Sequence, residues 1–263
     1  MPAWEATRAQ VRTPLERERT MSHAQKAALV TGGSKGIGRA IAAALLESGT
    51  HVLITGRDGA SLAAAAASLG PHGQKSGARI ETCAGDVRRE AEARAMVAAA
   101  VQRFGGFDIL INNAAVGILV ETAEMTGDQW RETIETNLGG VFYCTHAAIP
   151  HLRARGGGWI INISSLASRN PFARGAAYSA TKAGLNAFSE ALMQELRYDG
   201  IRVSTICPGS VSTGFAGSDP DAAADWKLAP EDVARVVVDL IAHPARSLPS
   251  LVDIRPSMPP RKK

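Results

Sequence analysis

The chain has few cysteines, few aromatic residues and no long apolar run. Its 263 residues include three cysteines, Cys83, Cys144 and Cys207, and none belongs to a CxxC pair. The sequence therefore lacks a disulfide framework, and a reducing compartment is expected. No window holds the 18 or more apolar residues of a membrane span, and the charge-mixed start lacks the apolar stretch of a signal peptide. These absences predict a cytoplasmic protein that has no membrane partner.

Patterns for metal or nucleic-acid binding are also missing. The six histidines contain no HExxH pair and the carboxylates form no calcium loop, so no metal site is predicted. The net charge is +4, but residues 1–20 contribute +1 and the last three residues contribute +3. The part between them is neutral, and it lacks the convergent cations that a phosphate backbone requires. We therefore expect no nucleic-acid partner.

Apolar, β-branched runs alternate along the chain with alanine-rich amphipathic stretches. This alternation is typical of a parallel sheet with helices on both faces. It predicts an α/β single-domain Rossmann fold, a doubly wound parallel sheet of about seven strands covered by helices on both faces. We expect residues 21–263 to form this one domain and residues 1–20 to form a flexible N-terminal extension.

The boundaries of these elements follow from the two periodicities. Strands are predicted at residues 27–31, 51–55, 79–83, 109–112, 159–163, 202–206 and 251–254. Helices are predicted at residues 36–48, 58–69, 90–104, 128–153, 176–198 and 230–242.

A glycine-rich turn joins the first predicted strand to the first predicted helix. Gly32 permits a tight turn, Gly36 lets the backbone approach a pyrophosphate, and Gly38 allows close packing of helix on strand. The helix N-terminus adds free N–H groups and the positive end of a dipole. The order strand, turn and helix predicts dinucleotide binding. The predicted contacts in this turn come from Gly32, Ser34, Lys35, Gly36, Ile37 and Gly38.

The second predicted strand ends in the run Thr55-Gly56-Arg57-Asp58. Arg57 stands about where NAD-binding versions of this fold usually place an acidic residue. Arg57 and Lys35 could converge on a 2'-phosphate, which favours NADP over NAD. The alternative is a solvated arginine at a strand end, and a one-residue error in the boundary would give its place to Asp58.

A serine, a tyrosine and a lysine form the most informative pattern. Ser165 follows a buried strand, and Tyr178 and Lys182 lie four residues apart on one helix face. A nearby ammonium group is expected to lower the pKa of a phenol and make it a usable acid-base group. The end of the strand before Ser165 and the start of the helix that carries Tyr178 both lie at the carboxyl edge of the sheet, where ligands bind in open α/β folds.

With these motifs the chain resembles the short-chain dehydrogenase/reductase family, in its NADP-preferring branch with a YxxxK active site, over residues 26–254. The match includes the glycine turn, the pair Asp86-Val87, the segment 112–115, and the segment 208–213. The resemblance implies hydride transfer between NADP(H) and a carbonyl or secondary alcohol, and it identifies four catalytic positions: Asn137, Ser165, Tyr178 and Lys182.

The resemblance also assigns roles. Ser165 would steady the substrate oxygen, Tyr178 would protonate it, and Lys182 would lower the tyrosine pKa and hold the nicotinamide ribose. Asn137 would anchor a water that links Lys182 to solvent. Further cofactor contacts are implied at Asp86, Val87, Asn113, Ala114, Pro208, Gly209, Val211 and Thr213.

Three departures from the family pattern concern the pocket and the assembly. Ala115 replaces a glycine near the cofactor, and Ser168 replaces a glycine after the catalytic serine. The segment after Thr213 is short, which predicts an open pocket with Trp226 as a candidate wall. The final strand is also unlike the family's, which leaves the helix from residue 176 as the candidate pairing surface of a homodimer or homotetramer.

Two other functions fit the same motifs. One is a 3-oxoacyl-thioester reductase acting on acyl-carrier-protein substrates. The other is a non-catalytic NADPH-binding sensor that keeps the fold. Retention of Asn137, Ser165, Tyr178 and Lys182 favours an enzyme, and the substrate is expected to be a small-molecule carbonyl or alcohol.

Overall fold

Seven strands occur in residues 25–217 and 225–260, the part of the chain that the computed structural model describes. They are β1 (Ala27–Thr31), β2 (His51–Gly56), β3 (Ile80–Ala84), β4 (Ile109–Asn112), β5 (Gly158–Ile163), β6 (Ile201–Pro208) and β7 (Leu251–Ile254). All neighbouring strands are parallel, in the order β3-β2-β1-β4-β5-β6-β7. The strand order reverses direction between β1 and β4, and this is the switch point at which open α/β sheets bind ligands.

Helices connect the strands across both faces of the sheet. They are α1 (Gly36–Glu47), α2 (Gly59–Gln74), α3 (Glu90–Phe104), α4 (Gly127–Ile134), α5 (Gly140–Arg155), α6 (Ala176–Leu196) and α7 (Pro230–Ala242). Helices α1, α2 and α7 pack on one face, around buried residues such as Ile41 and Val237. Helices α3, α5 and α6 pack on the other face, around residues such as Met96 and Leu152. The predicted doubly wound fold is confirmed.

The central strands are buried on both sides because each face carries a helical layer. Val30 and Ile111 face one cluster, and their neighbours Leu29 and Leu110 face the other; all four are fully buried. Alternation of the side chains across the pleat therefore produces continuous apolar runs in the sequence.

Two predicted helices differ from the observed ones. The second continues through Pro71 to Gln74, whereas the sequence predicts an end before the proline. Its last turn is held by tertiary packing, because a Cβ on Gly73 would lie 2.3 Å from the carbonyl oxygen of Ala78. The predicted helix 128–153 is divided by a π-turn, Glu135–Gly139, which contains Asn137. Such turns are often found at functional sites.

The predicted extension at residues 1–20 lies outside the described residues. Within the described ranges, no group of three or more His, Cys, Asp or Glu side chains could hold a metal ion. None of the described helices combines the length and the apolar character of a membrane span.

Candidate active site

The glycine turn after β1 forms a cradle of partly buried backbone. Gly32 and Gly36 have φ angles of +64° and +54°, which favour glycine. A Cβ on Gly38 would lie only 2.4 Å from the carbonyl oxygen of Gly32, so any side chain there would displace the turn. Among the described residues, no side chain caps the N-terminus of α1 at Lys35. The first N–H groups of α1 therefore point into the cradle, and the cradle fits the pyrophosphate of a dinucleotide.

The turn after β4 is tied directly to this cradle. The Asn113 side chain donates to the carbonyl oxygens of Thr31 and Gly32 at 2.9 and 3.1 Å. The Thr31 hydroxyl accepts from the backbone N–H groups of Asn113 and Ala114, each at 3.0 Å. These bonds hold the two turns together at the switch point of the sheet.

The segment after β6 closes the other side of the cleft. A Cβ on Gly36 would lie 3.4 Å from the methyl group of Thr213, so Thr213 faces the glycine turn. Pro208 ends β6, Gly209 donates its N–H to Ile254 at 2.8 Å, and Val211 forms a bridge with Leu228. The segment predicted to contact the cofactor therefore lies opposite the turn.

Charged residues meet at the ends of β2 and β3. Arg57 is exposed and its guanidinium lies 3.7 Å from the Glu132 carboxylate. Ser34 is close to this strand end, because a Cβ on Gly56 would lie 3.8 Å from its hydroxyl. The predicted pair of Arg57 and Lys35 is brought to the same edge of the sheet, and the structure adds an acidic neighbour that the sequence did not indicate.

The carboxylate of Asp86 is engaged by a neighbour along the chain. The Arg88 guanidinium donates to both Asp86 oxygens at 2.5–3.0 Å, and this hydrogen bonding holds the pKa of Asp86 below its ordinary value. The Asp86 side chain is therefore an ionised carboxylate that Arg88 holds in place. Val87 is nearly buried and packs against Gly140, where a Cβ would lie 2.7 Å from its methyl group.

Ser165, Tyr178 and Lys182 come together at the carboxyl end of β5. The Ser165 hydroxyl accepts the Ala167 N–H at 3.1 Å, and hydrogen bonding from this hydroxyl lowers the pKa of Tyr178. The Lys182 ammonium lies 5.8 Å from the centre of the tyrosine ring and donates to the Ile163 carbonyl at 2.8 Å. The predicted serine, tyrosine and lysine thus form one cluster between β5 and α6.

The two pKa values in this cluster are dominated by burial. Burial raises the pKa of Tyr178, a hydrogen bond from Ser165 lowers it, and the nearby Cys207 raises it. Burial also lowers the pKa of Lys182 from 10.5 to about 8. The Lys182 ammonium is directed at the Ile163 carbonyl, and its predicted lowering of the tyrosine pKa stays a prediction.

Asn137 clamps the loop that follows β4 onto α6. Its side-chain oxygen accepts the Val116 N–H at 2.9 Å, and its side-chain nitrogen donates to the Val116 carbonyl and to the Thr181 hydroxyl. The residue is 1% exposed. Both amide atoms therefore have protein partners, and the side chain fixes the wall of the site directly beside Tyr178 and Lys182.

The mouth of the site is partly covered by Phe215. Its ring centre lies 5.6 Å from that of Tyr178, and a Cβ on Gly117 would lie 2.5 Å from the Phe215 ring. The short segment therefore places an aromatic ring beside the tyrosine. The openness of the pocket stays a prediction, because residues 218–224 lie outside the described residues. Trp226 lines a separate surface depression with residues at the start of α7 and Met258.

Several site residues carried no sequence signal that we used. Arg88 follows Asp86 by two residues, and Glu132 lies one turn before the π-turn. Asn186 lies four residues beyond Lys182, so extending the helical spacing of Tyr178 and Lys182 by one turn would have found it. Phe215 could not be found in this way, because its place depends on an irregular turn.

A dinucleotide cradle beside a serine-tyrosine-lysine cluster, at one edge of a parallel sheet, is the layout of a Rossmann-type oxidoreductase. The family model for short chain dehydrogenases matches residues 26–223. An uncharacterized oxidoreductase of Staphylococcus saprophyticus is 35% identical over 88% of this chain and 97% of its own length. The chain therefore belongs to the short-chain dehydrogenase family, and it is an oxidoreductase of that family.

Solved structures have the same fold. An alcohol dehydrogenase from the archaeon Thermococcus sibiricus, complexed with 5-hydroxy-NADP, is 28% identical with a TM-score of 0.82, covering 90% of this chain and 100% of that chain. A variant of actinorhodin polyketide ketoreductase with NADPH is 32% identical with a TM-score of 0.79, covering 88% of this chain and 96% of that chain.

Proposed function

We propose that the protein is an NADP(H)-dependent oxidoreductase that interconverts a carbonyl group and a secondary alcohol. The observation that carries the proposal is the cluster of Ser165, Tyr178 and Lys182 at the carboxyl end of β5, on the same edge of the sheet as the glycine cradle. We also propose that residues 21–263 form the catalytic domain. The likeness to proteins solved with NADP-type ligands supports the choice of cofactor.

The cofactor would be held by the two turns and the strand ends. The α1 N-terminus and Gly36 would receive the pyrophosphate, Thr213 and Val211 would lie along the nicotinamide side, and Arg57 would meet the 2'-phosphate. The planar guanidinium of an arginine can donate two parallel hydrogen bonds to a phosphate, whereas the ammonium of a lysine acts as a point charge. NADPH supplies the hydride when it is bound.

The protein residues handle the substrate oxygen and its proton. With substrate bound, Ser165 would turn its hydroxyl proton from Tyr178 to the carbonyl oxygen and polarise it, and the Tyr178 hydroxyl would give its proton to the same oxygen as charge develops there. Because burial raises the pKa of Tyr178, the phenol is protonated at neutral pH and ready to act as an acid. Lys182, with a pKa of about 8, can return a proton to Tyr178.

A fluorescence titration with NADPH and NADH tests the cofactor assignment. We expect NADPH to bind at least about tenfold more tightly, equivalent to about 1.4 kcal/mol, and Arg57→Asp to remove that difference. Arg94→Asp is the matched control, because Arg94 is an exposed arginine on α3 that pairs only locally with Glu90. Equal binding of the two cofactors by the unsubstituted protein would contradict the role of Arg57.

Turnover is measured as NADPH oxidation with a panel of aliphatic ketones, α-diketones and β-keto esters. We expect reduction of at least one class and its loss in Tyr178→Phe, with NADPH binding retained. Tight NADPH binding without turnover of any panel member would instead support the sensor function.

A 3-oxoacyl-thioester reductase is the second candidate, because the chain is similar to actinorhodin polyketide ketoreductase over 88% of its length. The two candidates differ in the carrier. Faster turnover of a 3-oxoacyl group on acyl carrier protein than of the matching N-acetylcysteamine thioester would favour this second function.

We also propose that the protein assembles as a homodimer or homotetramer. Phe142 on α5 is 48% exposed and stacks on His146. An exposed aromatic ring of this kind supports an interface with a second copy of the chain on this side of the molecule. Light scattering after size exclusion tests it, and a monomer at micromolar concentration would contradict it. The cytoplasmic location stays a prediction.

A further inference from the structure

One amide side chain, that of Asn186, links residues on either side of Ser165 to the helix that bears Tyr178. The Asn186 oxygen accepts the hydroxyl proton of Ser164 at 2.6 Å, and the Asn186 nitrogen donates to the hydroxyl of Ser168 at 2.9 Å. Asn186 thus bridges the residue before Ser165 and the residue three places after it.

The chain of hydrogen bonds returns to Ser165 itself. The Ser168 hydroxyl donates to the Ser165 carbonyl oxygen at 2.6 Å, and the Ser168 N–H donates to the same oxygen at 3.0 Å. The Ser164 hydroxyl is further held by the Lys182 carbonyl at 3.3 Å. Every hydroxyl in this ring has a defined partner, and such satisfied polar networks specify one arrangement of a buried site.

The position of Asn186 on α6 determines which parts of the active site the ring of hydrogen bonds connects. Tyr178, Lys182 and Asn186 are spaced by four residues, so they share one face of the helix. Ser165 lies in extended backbone at the end of β5, outside the ladder of the sheet. The ring is therefore a direct polar link that sets the distance between Ser165 on the sheet and Tyr178 on the helix.

We propose that Asn186, acting through Ser168, is a positioning residue that holds the Ser165 hydroxyl in line with the Tyr178 oxygen. The inference rests on the proposed reductase function. It also explains Ser168, which stands where the family pattern has glycine: without its hydroxyl, Asn186 would have no link to the Ser165 carbonyl.

The proposal predicts a change in the acid-base behaviour of Tyr178. The Ser165 hydrogen bond favours the phenolate, so its loosening should raise the pKa of Tyr178. The titratable groups that face Tyr178 are Lys182 on its own helix and Cys207 on β6. Cys207 lies 3.8 Å from both amide atoms of Asn186, so its surroundings change in Asn186→Leu but not directly in Ser168→Ala. The shift in Ser168→Ala therefore reports on Ser165.

The test compares Asn186→Leu, Ser168→Ala and the double variant. Reduction is measured with ethyl 3-oxobutanoate and NADPH, and oxidation is measured with ethyl 3-hydroxybutanoate and NADP⁺. We expect kcat/KM to fall by about 10- to 100-fold in Asn186→Leu, because a small misplacement of a catalytic group has effects of this size. The NADPH dissociation constant should stay within about twofold. The pH at half-maximal oxidation should move upward.

Two features separate positioning from a general loss of structure. The double variant should be no worse than Asn186→Leu, because both changes break one chain of bonds. Ser168→Thr keeps the hydroxyl and should restore most of the activity lost in Ser168→Ala. Asn170→Ala is the matched control: Asn170 is an exposed amide that donates to Leu166 on the same turn, and its loss should leave activity and pH profile unchanged.

A readout without turnover distinguishes this inference from the proposed function. Absorbance at 295 nm, taken as the difference between each protein and its Tyr178→Phe form, gives the pKa of Tyr178 directly. Failure of the unsubstituted protein to reduce any carbonyl would contradict the proposed function, while a higher Tyr178 pKa in both Asn186→Leu and Ser168→Ala would still support the positioning link.

The proposal is overturned by an unmoved Tyr178 pKa and pH profile in both single variants, or by additive losses in the double variant. If Asn186→Leu does not fold, the pair Ser168→Ala and Ser168→Thr decides the question, and equal activity in the two variants would refute the link.

Discussion

The buried ammonium of Lys182 leads to a prediction about stability. The side chain is 3% exposed, and burial lowers its pKa from 10.5 to about 8. Keeping it charged in the folded protein therefore costs about 3 kcal/mol at neutral pH. Lys182→Met removes that cost and also loses the hydrogen bond from the charged ammonium to the Ile163 carbonyl, worth about 2 kcal/mol. We expect Lys182→Met to be more stable than the unsubstituted protein by about 1 kcal/mol at pH 7.

The sign of the pH dependence follows from the direction of the pKa change. Because the folded-state pKa lies below that of the unfolded chain, the cost is complete below about pH 8 and fades as pH rises toward 10.5. Urea unfolding at pH 7, 8.5 and 10 should therefore show the advantage of Lys182→Met shrinking with pH. Lys75→Met, at the exposed end of α2, should show no such trend. A less stable Lys182→Met at pH 7, or a difference that does not change with pH, would refute the reasoning.

Three further variants test other contacts of the site. Gly38→Ala should abolish NADPH binding in a fluorescence titration, because its Cβ would lie 2.4 Å from the Gly32 carbonyl oxygen, whereas Gly70→Ala has open space and should retain binding. Phe215→Ala should expose Tyr178 and lower its raised pKa, so the pH at half-maximal alcohol oxidation should move downward. An unchanged pH profile would disprove the shielding of Tyr178 by Phe215. Glu132→Gln should tighten NADPH binding by at most about fivefold and leave NADH binding unaffected, because an exposed ion pair contributes at most about 1 kcal/mol. Equal changes for both cofactors would contradict a contact between Arg57 and the phosphate.

Much of the fold could be predicted because it depends on local periodicity. Strands β1, β4 and β7 and helices α3 and α7 have the predicted bounds, since apolar runs and helix start signals lie in consecutive residues. The last turn of α2 was missed because Gly73 packs against Ala78, and this contact outweighs the effect of Pro71. The π-turn in 128–153 was missed because an extra residue per turn leaves no distinct apolar pattern.

The sequence by itself determined the elements of the site. The glycine turn, Ser165, and the pair Tyr178 and Lys182 each follow from a short spacing combined with the rule that parallel strands end at one edge. These relations hold whatever the neighbouring helices do, so residues within a few positions of each other could be placed together.

Only the tertiary structure decided how these elements act on one another. The ring from Ser164 through Asn186 to Ser168, the contact of Phe215 with Tyr178, and the Glu132 carboxylate beside Arg57 join residues 18 to 75 positions apart. Each depends on the rotation of a helix or on an irregular turn, and a rotation of a few tens of degrees would break it. The packing of α6 against the end of β5 decided both the direction of the Lys182 ammonium and the burial that raises the pKa of Tyr178, because burial and hydrogen-bond partners exist only once these elements are packed together.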